Sequence, residues 1–169
     1  MTAFHPIKPL LLACAVGFSG LASLPASATD VGQSAPSFEL AGQKGPVQLA
    51  AYKGKTVYLD FWASWCGPCK QSFPWMNDMQ KRYGANGLRV VGVNLDQKGD
   101  EAKAFLAANP ALFAVAFDPE GKTPKAYGIK GMPTSMLIGA DGKVLMVHQG
   151  FKDENRDDLE KQIKQALAR

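Results

Sequence analysis

The stretch from Val57 to Cys69 constrains this chain more than any other. The run Val57-Tyr58-Leu59-Asp60-Phe61-Trp62 is almost continuously apolar, which reads as a strand buried on both faces, and Trp65-Cys66-Gly67-Pro68-Cys69 follows it after only Ala63 and Ser64. Residues beyond Cys66 have helical composition as far as Tyr83. Two cysteines separated by two residues can be joined only where the backbone curls, and the first turn of a helix supplies that curl. A central strand must therefore feed a helix, with both sulfurs at the junction.

That junction also sets the chemistry. Amides at a helix N-terminus have no partner inside the helix and carry the positive end of its dipole, so a thiol held there ionises readily. Thiolate is the species that attacks disulfides. Cys66, at the lip, is expected to be the exposed nucleophile, and Cys69, one turn in, the shielded thiol that resolves a mixed disulfide. Pro68 suits the first turn, where a missing N–H costs nothing. The other readings of such a pair are half a zinc site or an inert structural disulfide. Zinc would need two further ligands, and the rest of the chain offers only Cys14, His5 and His148. No metal or cofactor is expected.

The first 28 residues differ from the remainder. They contain no acid, carry Lys8 with His5 ahead of an apolar run from Leu10 to Leu24, and end in Ala26-Ser27-Ala28, the small-x-small pattern that a signal peptidase accepts. Residues 1–28 thus read as a cleaved secretory signal and residues 29–169 as one domain. Gly17, Ser19 and Gly20 interrupt the run and argue against a retained membrane anchor, while the apolar residues beyond Cys14 argue against a lipid on that cysteine. Processing before Thr29 leaves only Cys66 and Cys69, so no disulfide framework props up the fold and the pair is expected to react. It removes one of 19 basic residues and none of 15 acids, leaving a charge of +3, too mild and dispersed for nucleic acid.

In chain order, Val31 to Pro36 is an extended lead-in. Phe38 to Leu40 and Val47 to Leu49 pair as a hairpin across Gly42 to Pro46. After the Thr56 to Trp62 strand and the helix to Tyr83, which Pro74 should kink, Leu88 to Leu95 reads as a second buried strand. Asp100 to Ala108 is helical and Leu112 to Phe117 a short strand. A short basic stretch surrounds Lys122 and Lys125. Ser135 to Ile138 and Lys143 to Gln149 form a hairpin through Asp141-Gly142, and Asp153 to Ala168 closes as an amphipathic helix. Pro133, entering a strand, marks an edge or a cis bond. His148 is expected to face solvent. Asp60 stands out, because a carboxylate in a central strand is expensive without a partner or a job. Either it is a buried acid that exchanges a proton with Cys69, or it sits at a strand edge facing water.

Phe61-Trp62-Ala63-Ser64-Trp65-Cys66-Gly67-Pro68-Cys69-Lys70 resembles the active site of the thioredoxin superfamily, and Tyr127-Gly128-Ile129-Lys130-Gly131-Met132-Pro133-Thr134 resembles its cis-proline segment. The lead-in, the hairpin and the extra helix-strand segment between Asp96 and Lys122 are similar to the secreted TlpA/ResA-like thiol-disulfide reductases. The resemblance implies an α/β thioredoxin fold, a central mixed sheet flanked by helices, with the N-terminal hairpin and the inserted segment added. It further implies that Cys66 is nucleophile, Cys69 resolving thiol, Asp60 the buried acid and Pro133 cis beside the disulfide. Trp65, Gly67, Pro68, Met132 and Thr134 would form the surface on which a partner's extended chain lies. Two positions depart from the pattern. Gly92 falls where thioredoxins place a lysine near the buried acid, and Ser72 falls where ResA-like proteins carry a glutamate, which puts a dedicated cytochrome c maturation role in doubt.

The expected activity is a periplasmic protein-disulfide reductase acting on disulfide-containing periplasmic proteins, supplied by a membrane electron donor and monomeric. A peroxiredoxin-like peroxidase is the enzymatic alternative, since Val31 to Leu40 also resembles the lead-in of that family, although Ala63 replaces its threonine. A thiol-dependent copper metallochaperone using Cys66, Cys69 and Met132 is the other alternative.

Overall fold

The computed structural model describes residues 1–2 and 29–169. The expected signal, with Lys8, Cys14 and Ala26-Ser27-Ala28, lies outside the described residues. Seven strands and four helices run in the order β1 (Glu39–Gly42), β2 (Val47–Gln48), β3 (Thr56–Trp62), α1 (Gly67–Tyr83), β4 (Leu88–Asn94), α2 (Gly99–Ala108), β5 (Ala114–Phe117), α3 (Lys122–Ala126), β6 (Thr134–Ile138), β7 (Val144–Gln149) and α4 (Arg156–Leu167). They form one sheet in the order β2-β1-β5-β4-β3-β6-β7. β3, β4 and β5 are mutually parallel, whereas β6, β7, β1 and β2 each run antiparallel to a neighbour. The inserted segment supplies α2 and β5, and β5 joins the N-terminal hairpin to the central strands. Among the described residues no helix is long and apolar enough to cross a membrane.

β3 is buried along its whole length, as its apolar run requires. Alternation divides it between two cores. Tyr58 and Trp62 point toward α1, α2 and α4, where Phe73, Phe105, Leu159 and Ile163 meet them. Val57, Leu59 and Phe61 point to the opposite face, closed by Tyr127, Met136 and the lead-in residues Ala35 and Phe38. The first core is aromatic at its centre. Phe73 lies with ring centroids 4.8 Å from Trp62, 4.9 Å from Phe105 and 5.2 Å from Phe113, edge to face throughout. α1 is therefore fixed to the sheet by the turn that follows the cysteines.

Several boundaries differ from expectation. β5 begins at Ala114 because Asn77 of α1 takes the Leu112 N–H at 2.7 Å and donates to Pro110 O at 2.9 Å, tying that loop to the helix instead of the ladder. The basic stretch is α3, whose first amides are held by buried Asp118, which accepts from Thr123 N at 2.6 Å. Asp153–Asn155 is a 3₁₀ turn ahead of α4. α1 ends at Tyr83 with Pro74 inside it, as expected.

Phe73→Ala is expected to cost about 3–5 kcal/mol, since it empties the aromatic centre that joins α1 to β3, α2 and the loop before β5. The urea midpoint of the oxidised protein measures this, and a loss under about 1 kcal/mol would show that the core collapses to fill the space.

Candidate active site

The β3 to α1 connection is a tight turn. Cys66 N–H donates to Ala63 O at 3.1 Å, and Cys66 then takes the non-helical N-cap conformation, φ −84° and ψ 104°. Its Sγ accepts from Cys69 N–H at 3.3 Å, so the sulfur itself caps α1. Gly67 and Pro68 fill the first helical positions and are solvent-facing. The two cysteines form a disulfide with Cα atoms 5.2 Å apart. Cys66 retains 6% exposure and Cys69 none. The expected order of access holds, but Cys66 is less open than expected. Its sulfur is turned into the helix end to reach both Cys69 N–H and Cys69 Sγ. Trp65, at 70% exposure, is the apolar group that stands out from this surface.

The Met132–Pro133 peptide is cis, as the resemblance implied. Phe61 pairs with Thr134, so Pro133 lies beside the end of β3, level with the redox turn. Thr134 Oγ1 donates to Gly131 O at 2.7 Å and Pro133 O accepts from Gly150 N at 2.8 Å, which fixes the loop from both sides. Met132 is half-buried and packs against the core that contains both cysteines.

Asp60 is buried, at 2% exposure, which excludes the water-facing strand edge. Alternation puts it on the same face as Tyr58 and Trp62, the face that carries the disulfide. Burial holds its carboxyl well above the usual range, and its Oδ2 has no hydrogen-bond partner among the protein groups. Its cross-strand partners are Gly92 on β4 and Ser135 on β6. Gly92 does neighbour Asp60 across the sheet. A Cβ there would lie 3.0 Å from Trp62 Nε1 and 3.1 Å from Phe113, so the indole fills the space a side chain would need. Ser72, buried, donates its hydroxyl to Cys69 O at 2.9 Å.

Two groups of residues were not singled out in the sequence. Asp96, buried just past β4, accepts from Ser64 N at 3.0 Å, Ser64 Oγ at 3.0 Å and Asn94 Nδ2 at 2.8 Å, and its own N–H donates to Asn94 Oδ1 at 3.1 Å. It pins the turn that delivers Cys66. The Asn94-Leu95-Asp96 spacing gives no hint of this, because its partner lies 32 residues away. On β6, Ser135 accepts from Tyr58 OH at 2.8 Å. His148, expected to face solvent, is instead half-buried, and its Nε2 is enclosed without a partner because β7 turns this residue onto the disulfide face. Burial lowers its pKa.

A disulfide that caps the helix after a central strand, one sulfur reachable and one sealed, with a cis-proline loop alongside, defines a thioredoxin-fold thiol-disulfide oxidoreductase. The chain belongs to the Redoxin family, whose model matches residues 30–163. It is 35% identical to the thiol-disulfide oxidoreductase ResA of Bacillus cereus over 95% of this chain and 94% of that one. Against ResA of Bacillus subtilis it is 33% identical, over 86% and 83% of the two chains. A Chlorobium tepidum crystal structure described as a thiol:disulfide interchange protein DsbE superposes with a TM-score of 0.82 at 58% identity, covering 83% of this chain and 99% of that one. Dithiol-disulfide exchange at Cys66 and Cys69 is the activity these relationships and the site support.

The two buried acids should respond oppositely to substitution. A carboxyl whose folded pKa lies above the unfolded value of about 3.9 adds stability in acid, and that contribution is lost as pH rises through the folded pKa. Asp60→Asn is therefore expected to match the wild type near pH ~3 and to be more stable near pH ~8. Asp96→Ala, which strands three donors, should cost about 2–3 kcal/mol. Urea midpoints at both pH values read both effects. Equal Asp60→Asn and wild-type midpoints at the higher pH would mean that the Asp60 carboxylate is not desolvated.

Proposed function

We propose that this chain is a periplasmic protein-disulfide reductase. What carries the reading is the Cys66 sulfur held against Cys69 N–H at the head of α1. In the dithiol state the same amide and the helix dipole stabilise a Cys66 thiolate. That thiolate attacks a substrate disulfide. One substrate sulfur leaves as thiolate, and the other stays bonded to Cys66. Cys69, sealed from solvent, is reachable only by Cys66 Sγ, so it resolves the mixed disulfide and does not start a second one. To attack it must lose its proton, and Asp60, on the same face with a raised pKa, is the group that takes it. The substrate leaves reduced and Cys66–Cys69 is left oxidised.

Pro133 and the Met132 backbone, with Trp65, Gly67, Pro68 and Thr134, form the docking surface. An extended substrate chain hydrogen-bonds there to main chain and packs on Trp65, which makes recognition independent of sequence. The reducing direction follows from the Gly67-Pro68 dipeptide, which is that of thioredoxin, with a potential near about −270 mV, against about −120 mV for the oxidant DsbA. Export rests on the signal-like residues 1–28, and in an oxidising compartment a reductase needs a membrane electron donor. A monomer is supported by the small number of exposed large apolar residues among the described ones, Met1, Val31, Trp65 and Leu112.

Cys69→Ser is expected to accumulate mixed disulfides on Cys66 with exported proteins, and Cys66→Ser to accumulate none. Equilibration with glutathione should give a potential nearer to that of thioredoxin than to that of DsbA. A value close to DsbA would reverse the direction assigned, and trapping through Cys69 would reverse the two roles.

A further inference from the structure

On the face of the sheet that carries the disulfide, one row crosses the sheet with an ionisable side chain at its centre and another at its outer end. Cross-strand pairing aligns Gly92 on β4, Asp60 on β3, Ser135 on β6 and His148 on β7. Directly paired residues share a face, and the core lining confirms which one, since Val90, Tyr58, Leu137 and Met146 in the adjacent row belong to the same core as Cys66 and Cys69. Asp60 lies inside, and His148 sits on the outermost strand, partly open to solvent. The two ends of the row, Asp60 Oδ2 and His148 Nε2, are both enclosed and both without a protein partner. Between them Ser135 Oγ accepts from Tyr58 OH, which leaves its own proton and one lone pair uncommitted.

We propose that Ser135 and His148 carry protons between Asp60 and solvent, so that His148 is the outlet of the acid that serves Cys69. This rests on the reading of Asp60 given above. On the β4 side no side chain can assist, because Gly92 has none and Trp62 fills its place. On the β6 side paired Cβ atoms stand about 4.5–5.5 Å apart, so Ser135, paired with both residues, lies between the Asp60 and His148 side chains. The other titratable groups turned to this face are Tyr58 on β3, the two cysteines of α1, and Arg156 of α4, which lies over Phe151 and pairs with Asp153. At the far end of α1, Arg82, Tyr83 and Glu160 are bonded to one another.

As the Cys69–Cys66 bond forms, the bond between Cys66 and the substrate sulfur breaks. The electron pair leaves with that substrate sulfur, which takes a proton from water. The Cys69 proton passes to the Asp60 carboxylate, then to the free lone pair of Ser135 Oγ while the serine proton moves to the imidazole, and His148 returns it to bulk water. Its lowered pKa suits a group that must release the proton again near neutrality.

The test is the rate at which Cys69 resolves a preformed mixed disulfide between Cys66 and a chromogenic thiol, followed from pH ~6 to ~9 in weak buffer. His148→Gln should slow resolution about tenfold near neutrality, leave alkylation of Cys66 unchanged, and be restored by millimolar imidazole. Ser135→Ala should slow it similarly without rescue, and Ser135→Thr, which keeps the hydroxyl, should not. Asp60→Asn is the control for the underlying reading. If it slows resolution while His148→Gln has the wild-type rate and pH profile, the proton leaves by another route and the relay is wrong. If His148→Gln is slow but imidazole does not restore it, His148 is only structural and the relay is again wrong. If Asp60→Asn itself leaves resolution unchanged, the role of Asp60 falls, and the relay with it.

Discussion

The contact between Cys69 N–H and Cys66 Sγ places α1, and α1 places most of the rest. A helix needs an acceptor for its first free amides, and here a sulfur supplies it, so the reactive atom and the capping atom are the same. That arrangement works only if α1 starts within a few residues of the end of β3 and keeps its axis fixed. Ser64 and Asp96 secure the start, and Phe73, Met76 and Met79 secure the axis by burying one stripe of the helix against Trp62 and its neighbours. Helix packing thus also sets the reactivity of a sulfur.

Asp60 and Asp96 are both buried acids near the redox turn, and the fold treats them in opposite ways. Asp96 is surrounded by donors, two from Ser64 and one from Asn94, so its charge is used to hold backbone in place. Asp60 has an enclosed oxygen with no donor at all, and burial makes its ionised form costly. One is held by donors on every side; the other is a buried carboxyl whose neutral form burial favours. Ser72, whose hydroxyl is spent on Cys69 O, adds no second carboxyl beside Cys69, and Gly92 adds no cation. The polar side chains nearest Asp60 across the sheet are therefore those of β6 and β7.

The additions to the central sheet are asymmetric. β5, β1 and β2 extend it on the β4 side and bury that flank, while on the other side β7 remains the outer strand, met at its start by the lead-in, where Gly32 and Gln33 bond Val144 and Ser34 bridges to Lys143. The row through Asp60 and Ser135 thus ends, at His148, near solvent on the short side of the molecule. The cis-proline loop is on the same side, because β6 begins with it.

The strand from Thr56 to Trp62, the helix after Cys66, the terminal hairpin and the closing helix were legible in the chain because each depends on a local period or a local stop. The redox pair was legible because C-x-x-C at a strand-to-helix step is a local motif. Asp60 could be suspected on grounds of cost alone, since a charge in an apolar run needs an explanation. What tertiary structure decided were the contacts made across strands. That Asp96 holds Ser64, that Tyr58 bonds Ser135, that Trp62 fills the space over Gly92, and that His148 faces inward all follow from register. Register is set by the packing of both sheet faces at once, and no stretch of sequence carries that information by itself.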